Sequence, residues 1–256
     1  MRPDDLFFPF INDELWVDLE GFPLTLGVLG TVASEAVLAV GSWQGRDCWT
    51  ADSITIGQGH AQPVGLRSRL GEWPEALFQL AGRAAQLNHF VASHRYCGRC
   101  GTVTEAVRDE IARRCPTCEL TSYPRISPCI IVAVWRPGEI LLARHHRHKS
   151  GIHTVLAGFV EAGETAEQAL HREVLEEVGV EVAEPCYVGS QPWPFPHSLM
   201  LAYTARWQAG EIRVDISELE HAAWYRLDEL PLIAPPGTVA RRLIDLVIAQ
   251  QAVDQA

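Results

Sequence analysis

The stretch Gly158-Phe-Val-Glu-Ala-Gly-Glu-Thr-Ala-Glu-Gln-Ala-Leu-His-Arg-Glu-Val-Leu-Glu-Glu-Val-Gly-Val180 decides how the rest of the chain is read. Gly158 and Gly163 mark a loop. Thr165 stands three residues before Gln168, the spacing of a capping box at a helix start. Ala169, Leu170, Val174 and Leu175 supply apolar surface, and Gly179 is placed to stop the helix. Glu173, Glu176 and Glu177 stand at i, i+3 and i+4, so they share one face with no lysine among them. Like charges this close destabilise an isolated helix, so a cation is expected among them. Carboxylate oxygens suit Mg²⁺ or Mn²⁺. Arg172 offers an ion pair to Glu164 in the loop. Three glutamates alone would equally describe a solvated acidic helix face.

Around this stretch lie 256 residues, 47% hydrophobic and 21% charged, with 20 Gly and 16 Pro. At about 150 residues per domain the chain holds one or two domains with real cores. The composition excludes a disordered chain, a collagen and a coiled coil. No run of about 18 apolar residues suggests a transmembrane helix. The start, MRPDDLFFPFINDEL, places Asp and Glu where a signal peptide needs an apolar core, so a cytoplasmic location is expected. The net charge of −11 argues against a surface that coats nucleic acid non-specifically, and no DNA partner is expected. Lys149 is the single lysine, so anion recognition falls mainly to arginine, whose planar fork suits phosphate.

Three pieces follow from the pattern: an N-terminal α/β domain over 1–93, a cysteine module over 94–123, and a larger α/β domain over 124–256. In the first, EAVLAVG and WTADSITIG read as short strands, and Glu75 to Arg95 carries apolar residues at helical spacing. In the last, CIIVAVW (129–135) reads as a buried strand, followed by a Pro-Gly turn and the strand EILLARH. SLMLAYTARW and AAWYRL read as strands, and TVARRLIDLVIAQQA reads as a closing helix.

The cysteine module has the spacing Cys97-x2-Cys100, 14 intervening residues, Cys115-x2-Cys118. Two such knuckles bring four thiolates around one tetrahedral Zn²⁺, the pattern of a zinc ribbon. The residues between them suit a short hairpin, and Gly98 and Gly101 are expected to supply the tight turns. Four thiolates leave no open coordination position, so this zinc is expected to be structural. Cys48, Cys129 and Cys186 read as small core residues.

With these residues in view, the spacing G-x5-E-x7-R-E-V-x-E-E-x-G-V resembles the box of the Nudix hydrolases. Gly158, Glu164, Arg172, Glu173, Val174, Glu176, Glu177, Gly179 and Val180 all match. The resemblance implies an αβα sandwich, with the box as a loop–helix–loop, and hydrolysis of a nucleoside diphosphate linked to another moiety. Beyond the box, the segment Ser190-Gln-Pro-Trp-Pro-Phe-Pro-His-Ser198 is a rigid extended stretch set by its prolines. It resembles the signature of the NADH pyrophosphatase subfamily, which also carries a four-cysteine zinc ribbon ahead of the Nudix domain. YPRISPCIIVAV, HTVLAGFVEAGET and PPGTVARRLI are similar to that subfamily too.

That resemblance implies a metal-dependent enzyme that cuts NADH or NAD⁺ at the pyrophosphate, giving nicotinamide mononucleotide and AMP. It also implies removal of 5′ NAD caps from RNA, leaving a 5′-monophosphate. A homodimer with shared active sites is implied. The implied catalytic residues are Glu173, Glu176, Glu177 and Glu218. The implied ligands of more than one Mg²⁺ or Mn²⁺ ion are Glu173, Glu177, Glu218 and the carbonyl of Ala157, and the spacing leaves Glu220 open beside Glu218. Phe159 and Tyr123 match positions that sandwich the nicotinamide ring, with Tyr123 from the other subunit. Glu110 and Ala240 match substrate contacts, as does the run Gln191, Pro192, Trp193, Pro194, Phe195, Pro196, His197 and Ser198. Arg67 is a further candidate whose alignment needs a gap. Either Glu176 or Glu177 is expected to act as base. The basic run Arg144–Lys149 and His153 read either as phosphate contacts or as solvated loop and packing. Two other functions stay open: a broader dinucleotide or ADP-ribose pyrophosphatase, and an RNA-binding zinc-ribbon protein on a Nudix scaffold.

Overall fold

The computed structural model describes residues 1–32, 37–51, 54–56, 59–146 and 151–253. The chain divides into two compact units: residues 1–126 with 194–197, and residues 127–193 with 198–256.

The first unit is mostly sheet. Its strands are β1 (Leu6–Phe7), β2 (Phe10–Ile11), β3 (Glu14–Val17), β4 (Leu24–Thr25), β5 (Leu29–Val32), β6 (Val37–Trp43), β7 (Arg46–Ala51), β8 (Ile54–Ile56) and β9 (Gln62–Val64). They form sheets of order β4-β1-β7-β6 and β2-β3-β9, and the pair β5-β8. Within WTADSITIG, β7 runs to Ala51 and β8 covers Ile54–Ile56; residues 52, 53, 57 and 58 of this stretch lie outside the described residues. Helix α1 (Glu75–Ser93) buries Leu77, Phe78, Ala81, Ala84 and Leu87 against Leu6, Phe8, Leu15 and Val17. The ribbon follows as β10 (Glu105–Ala106), β11 (Arg113–Arg114) and β12 (Thr121–Ser122), all antiparallel.

The second unit is one six-stranded mixed sheet. It contains β13 (Ser127–Arg136), β14 (Glu139–His145), β15 (Leu156–Phe159), β16 (Glu181–Trp193), β17 (Ser198–Ala209) and β18 (Leu219–Arg226). The order is β16-β17-β13-β14-β18, with β15 also pairing β13. β13 runs parallel to β17 and antiparallel to β14 and β15. Helix α2 (Ala166–Val178) packs Ala169, Leu170, Val174 and Val178 onto Ile130, Val132 and Val134 of one face. Helix α3 (Val239–Val253) packs Val239, Ala240, Leu243, Ile244 and Val247 onto Cys129, Ile131 and Ala133 of the other. Because both faces are covered, the centre of β13 is buried from Cys129 to Val134 and reads as an unbroken apolar run.

Two expectations need correction. Cys186 is exposed, because β16 is the sheet's edge strand; Cys48 and Cys129 are buried as expected. Leu175 is 53% exposed, since the apolar stripe of α2 continues through Val178 instead.

Candidate active site

Helix α2 begins where the sequence placed it. Thr165 caps the helix: its hydroxyl accepts from the Gln168 amide at 3.2 Å, and the Thr165 amide donates to Gln168 Oε1 at 2.8 Å. It ends at Gly179, whose φ of 71° suits a residue without a Cβ.

Arg172 organises the box. Its Nε and Nη2 donate to the two oxygens of Glu164 at 2.7 and 2.9 Å, a fork-on-fork pair. Nη2 also donates to the Phe159 carbonyl at 2.9 Å, and Nη1 donates to Glu173 at 2.8 Å and Glu176 at 3.0 Å. One guanidinium thus ties the loop to the helix. The Arg172–Glu164 pair was legible; the reach to Glu173 and Glu176 was not, although the i,i+4 spacing to Glu176 was its signal.

The box glutamates occupy distinct environments. Glu177 is 2% exposed. The Glu176 side chain is 60% exposed and that of Glu173 13%. The Glu173 carboxylate lies so close to Gly158 on β15 that a Cβ at Gly158 would overlap it. Burial lifts the Glu173 carboxyl above its ordinary range against the pull of Arg172, and Glu176 and Glu218 add to the rise. Arg172, followed by the Glu161 amide, holds Glu164 down at about 2. Glu218 is exposed beside the 215–219 turn, whereas Glu220 is ion-paired with Arg144 at 2.8 Å.

The donor set suits a hard divalent cation: Glu173 and Glu177 of α2, Glu218 in the turn before β18, and the Ala157 carbonyl on the strand beside Gly158. Glu173 rests in the Gly158 cradle, against the strand that carries Ala157. Among the described residues these carboxylates are not drawn into one tight group. The four ribbon cysteines are, with all ligand atoms within 4.8 Å of one another.

The sulfur pairs Cys100–Cys115, Cys97–Cys118 and Cys100–Cys118 are 3.4, 3.5 and 3.7 Å apart. Sulfurs about 2.3 Å from a tetrahedral zinc are about 3.8 Å from each other, far wider than a disulfide of about 2.05 Å. The four sulfurs therefore fit Zn²⁺. The two knuckles share one turn: the amides of Gly101 and Glu119 donate to the Cys97 and Cys115 carbonyls. Their sulfurs accept from different positions, Cys97 from the Arg99 amide two residues on and Cys115 from the Cys118 amide three residues on. Gly101 has φ of 76° and Glu119, at the matching position, 61°. Gly98, expected to turn the first knuckle, has no positive φ. Hydrogen bonds from Thr102 bring the Cys100 thiol down to about 6.

The proline-rich segment is the tip of the β16–β17 hairpin rather than a free extended stretch. Trp193 pairs with Ser198 across it, and residues 194–197 make the turn. Gln191 bonds the start of α3: its Nε2 donates to the Gly237 carbonyl and its Oε1 accepts from the Val239 amide, both at 2.8 Å. Pro194 is buried, and the Phe195 ring packs under the Arg67 guanidinium at 4.5 Å. Pro192 and Pro196 are exposed, His197 is partly so, Ser198 is 6% exposed and Trp193 packs with the α3 face. Ala240 is 7% exposed within that core. Phe159 and Tyr123 are 55% and 59% exposed, and the Tyr123 hydroxyl donates to Glu110 at 2.9 Å. His153 lies edge-on to the rings of His221 and Tyr225, and His146 bonds the Ile216 carbonyl. Of the basic run, residues 147–149 lie outside the described residues.

A carboxylate-lined loop–helix–loop on a mixed sheet between two helices defines a Nudix hydrolase. Residues 125–246 match the NUDIX domain, and residues 92–123 match the zinc ribbon domain of NADH pyrophosphatases. A protein of Yersinia enterocolitica named NAD-capped RNA hydrolase NudC is 49% identical over 91% of this chain and 88% of its own length. One of the same name from Salmonella heidelberg is 48% identical over 93% and 91%. The crystal structure of a Nudix hydrolase from Nitrosomonas europaea has a TM-score of 0.54 at 20% identity, covering 62% of this chain and 93% of its own. That likeness shows the fold alone. The chain belongs to the zinc-ribbon branch of the Nudix hydrolases, the family of the NudC proteins.

Proposed function

We propose that this enzyme hydrolyses the pyrophosphate of NADH and NAD⁺ to nicotinamide mononucleotide and AMP. We propose that it also removes NAD from RNA 5′ ends, releasing the mononucleotide and leaving 5′-monophosphate RNA. The observation that carries the reading is the seating of Glu173 against Gly158 in an otherwise complete box. The similarity over nine-tenths of the chain to proteins named NAD-capped RNA hydrolase supports the substrate.

Glu173, Glu177, Glu218 and the Ala157 carbonyl would hold Mg²⁺ or Mn²⁺. The bound ions supply positive charge that offsets the pyrophosphate's repulsion of an attacking water. Glu176 is already paired with Arg172, so Glu177 is assigned the water's proton. Arg172 keeps the loop against the helix. Phe159 presents an exposed ring for the nicotinamide, and Tyr123, set by Glu110, does the same from the partner subunit of a homodimer. The exposed Tyr96, Val103, Tyr123 and Ile126 around the ribbon support such a dimer. Gln191 holds the start of α3, where Ala240 lies. The zinc stays structural and braces the ribbon. Among the described residues no helix is long and apolar enough to cross a membrane, and we place the enzyme in the cytoplasm.

The test is a matched kinetic comparison of NADH, NAD⁺, ADP-ribose and a short NAD-capped RNA, with Mg²⁺ and with Mn²⁺. Release of nicotinamide mononucleotide from capped RNA is the expected result. Equal turnover of ADP-ribose would replace the reading by a broader pyrophosphatase.

A further inference from the structure

The first compact unit has a cavity of about 190 Å³ at the C-terminal end of α1, lined by His89, Phe90, Ser93, His94, Arg125 and His197, among others. No lining side chain is a carboxylate, although the chain has 32 Asp and Glu against 21 Lys and Arg. Arg125 is exposed and makes no ion pair among the described residues. The rings of His89 and His197 stand 5.7 Å apart, tilted by 49°.

A helix C-terminus ordinarily repels anions through its unpaired carbonyls. Here two carbonyls of the last turns, those of His89 and Phe90, have additional donors. The Ser93 hydroxyl donates to the His89 carbonyl at 2.7 Å, and the His94 amide and Nδ1 meet the Phe90 carbonyl at 3.0 and 3.1 Å. The side chains lining the cavity include the Arg125 guanidinium, the imidazoles of His89, His94 and His197, the Gln86 amide and the Ser93 hydroxyl. Donors and flat rings together suit one nucleotide of single-stranded RNA, with phosphate on arginine and a base against a ring.

We infer that this cavity is a subsite for a backbone phosphate of the RNA that follows the cap. The inference rests on the proposed cap-removing activity. It assigns Arg125 and His89 a role in recognising the RNA body that free dinucleotide does not use.

The experiment uses the full-length zinc-loaded protein and the variants Arg125→Gln and His89→Gln, both at exposed positions. On an NAD-capped hexaribonucleotide, KM should rise about tenfold with kcat unchanged. The salt dependence of log(kcat/KM) should lose about one unit of slope for the lost phosphate contact. On NADH, neither constant should move. An unchanged KM on the capped RNA, or an equal rise on NADH, overturns the subsite. A second readout is independent of turnover: uridine 5′-monophosphate is titrated while the imidazole resonances of His89 and His197 are followed by NMR. Saturable shifts that vanish in Arg125→Gln support the phosphate site, and no shift overturns it. If the wild type leaves capped RNA intact, the proposed function fails. The titration then judges the cavity alone, and saturable binding would make it a site for free nucleotide phosphate in place of RNA.

Discussion

The carboxylate of Glu173 fills the space that a side chain would need at Gly158. This contact joins the first residue of the Nudix box to a helix turn fifteen residues later. It explains in steric terms why glycine opens the box. Gly158→Ala should fold, because β15 tolerates alanine, but it should displace Glu173. A displacement on the order of 1 Å at a catalytic group costs about 10²-fold in rate. Steady-state kinetics beside a thermal melt would check this; near-normal kcat/KM would mean that Glu173 moves without consequence.

Glu177→Gln preserves shape at a position that is 2% exposed. The fold should survive and turnover should fall by about 10²–10⁴-fold, the usual contribution of a positioned acid–base group. Circular dichroism with single-turnover assays separates the two effects. Turnover like that of the wild type would remove Glu177 from the mechanism.

Glu164 and Glu173 bond the same guanidinium yet titrate in opposite directions. Glu164 is held down at about 2, so its pairing stabilises the fold above the ordinary carboxylate range and is lost as pH falls toward 2. Glu164→Gln should therefore lower Tm at neutral pH and flatten its decline between about 4.5 and 2. Glu173 is raised by burial, so its ionised form costs stability once pH exceeds the unfolded value. Glu173→Gln should raise Tm at neutral pH without added divalent metal, while abolishing activity. Melting curves of both variants across pH test the two signs.

Zinc removal should unfold the ribbon, because its strands are two residues long and are held by the four-sulfur cluster. Titration with a chelator should release one Zn²⁺ per chain, as metal analysis would read, and lower Tm. Glu119→Gly, matching Gly101 of the other knuckle, should instead stabilise by about 1 kcal/mol through relief of the left-handed backbone. A drop in stability would mean that the Arg114–Glu119 ion pair outweighs the strain.

Gln191→Ala removes two hydrogen bonds to the start of α3 and should cost about 1–3 kcal/mol. Chemical denaturation measures it, and a change below 0.5 kcal/mol, the scale of an ordinary surface substitution, would demote the contact to a surface one.

Local chemistry determined much in advance. The Thr165 cap, the Gly179 stop, the Arg172–Glu164 pair and the two cysteine knuckles each depend on residues whose spacing alone fixes their geometry. The buried run of β13 was visible because a strand covered on both faces shows no alternation. Tertiary structure decided the rest. The exposure of Cys186 on an edge strand and that of Leu175 on α2 depend on which neighbours a segment meets. So do the seat of Glu173 at Gly158, the packing of Phe195 under Arg67 and the bond from Gln191 to Val239. Capping and knuckle geometry act over a few bonds, where the sequence is the distance. Contacts between residues far apart in the chain arise only once strands and helices have packed, and no spacing along the sequence encodes them.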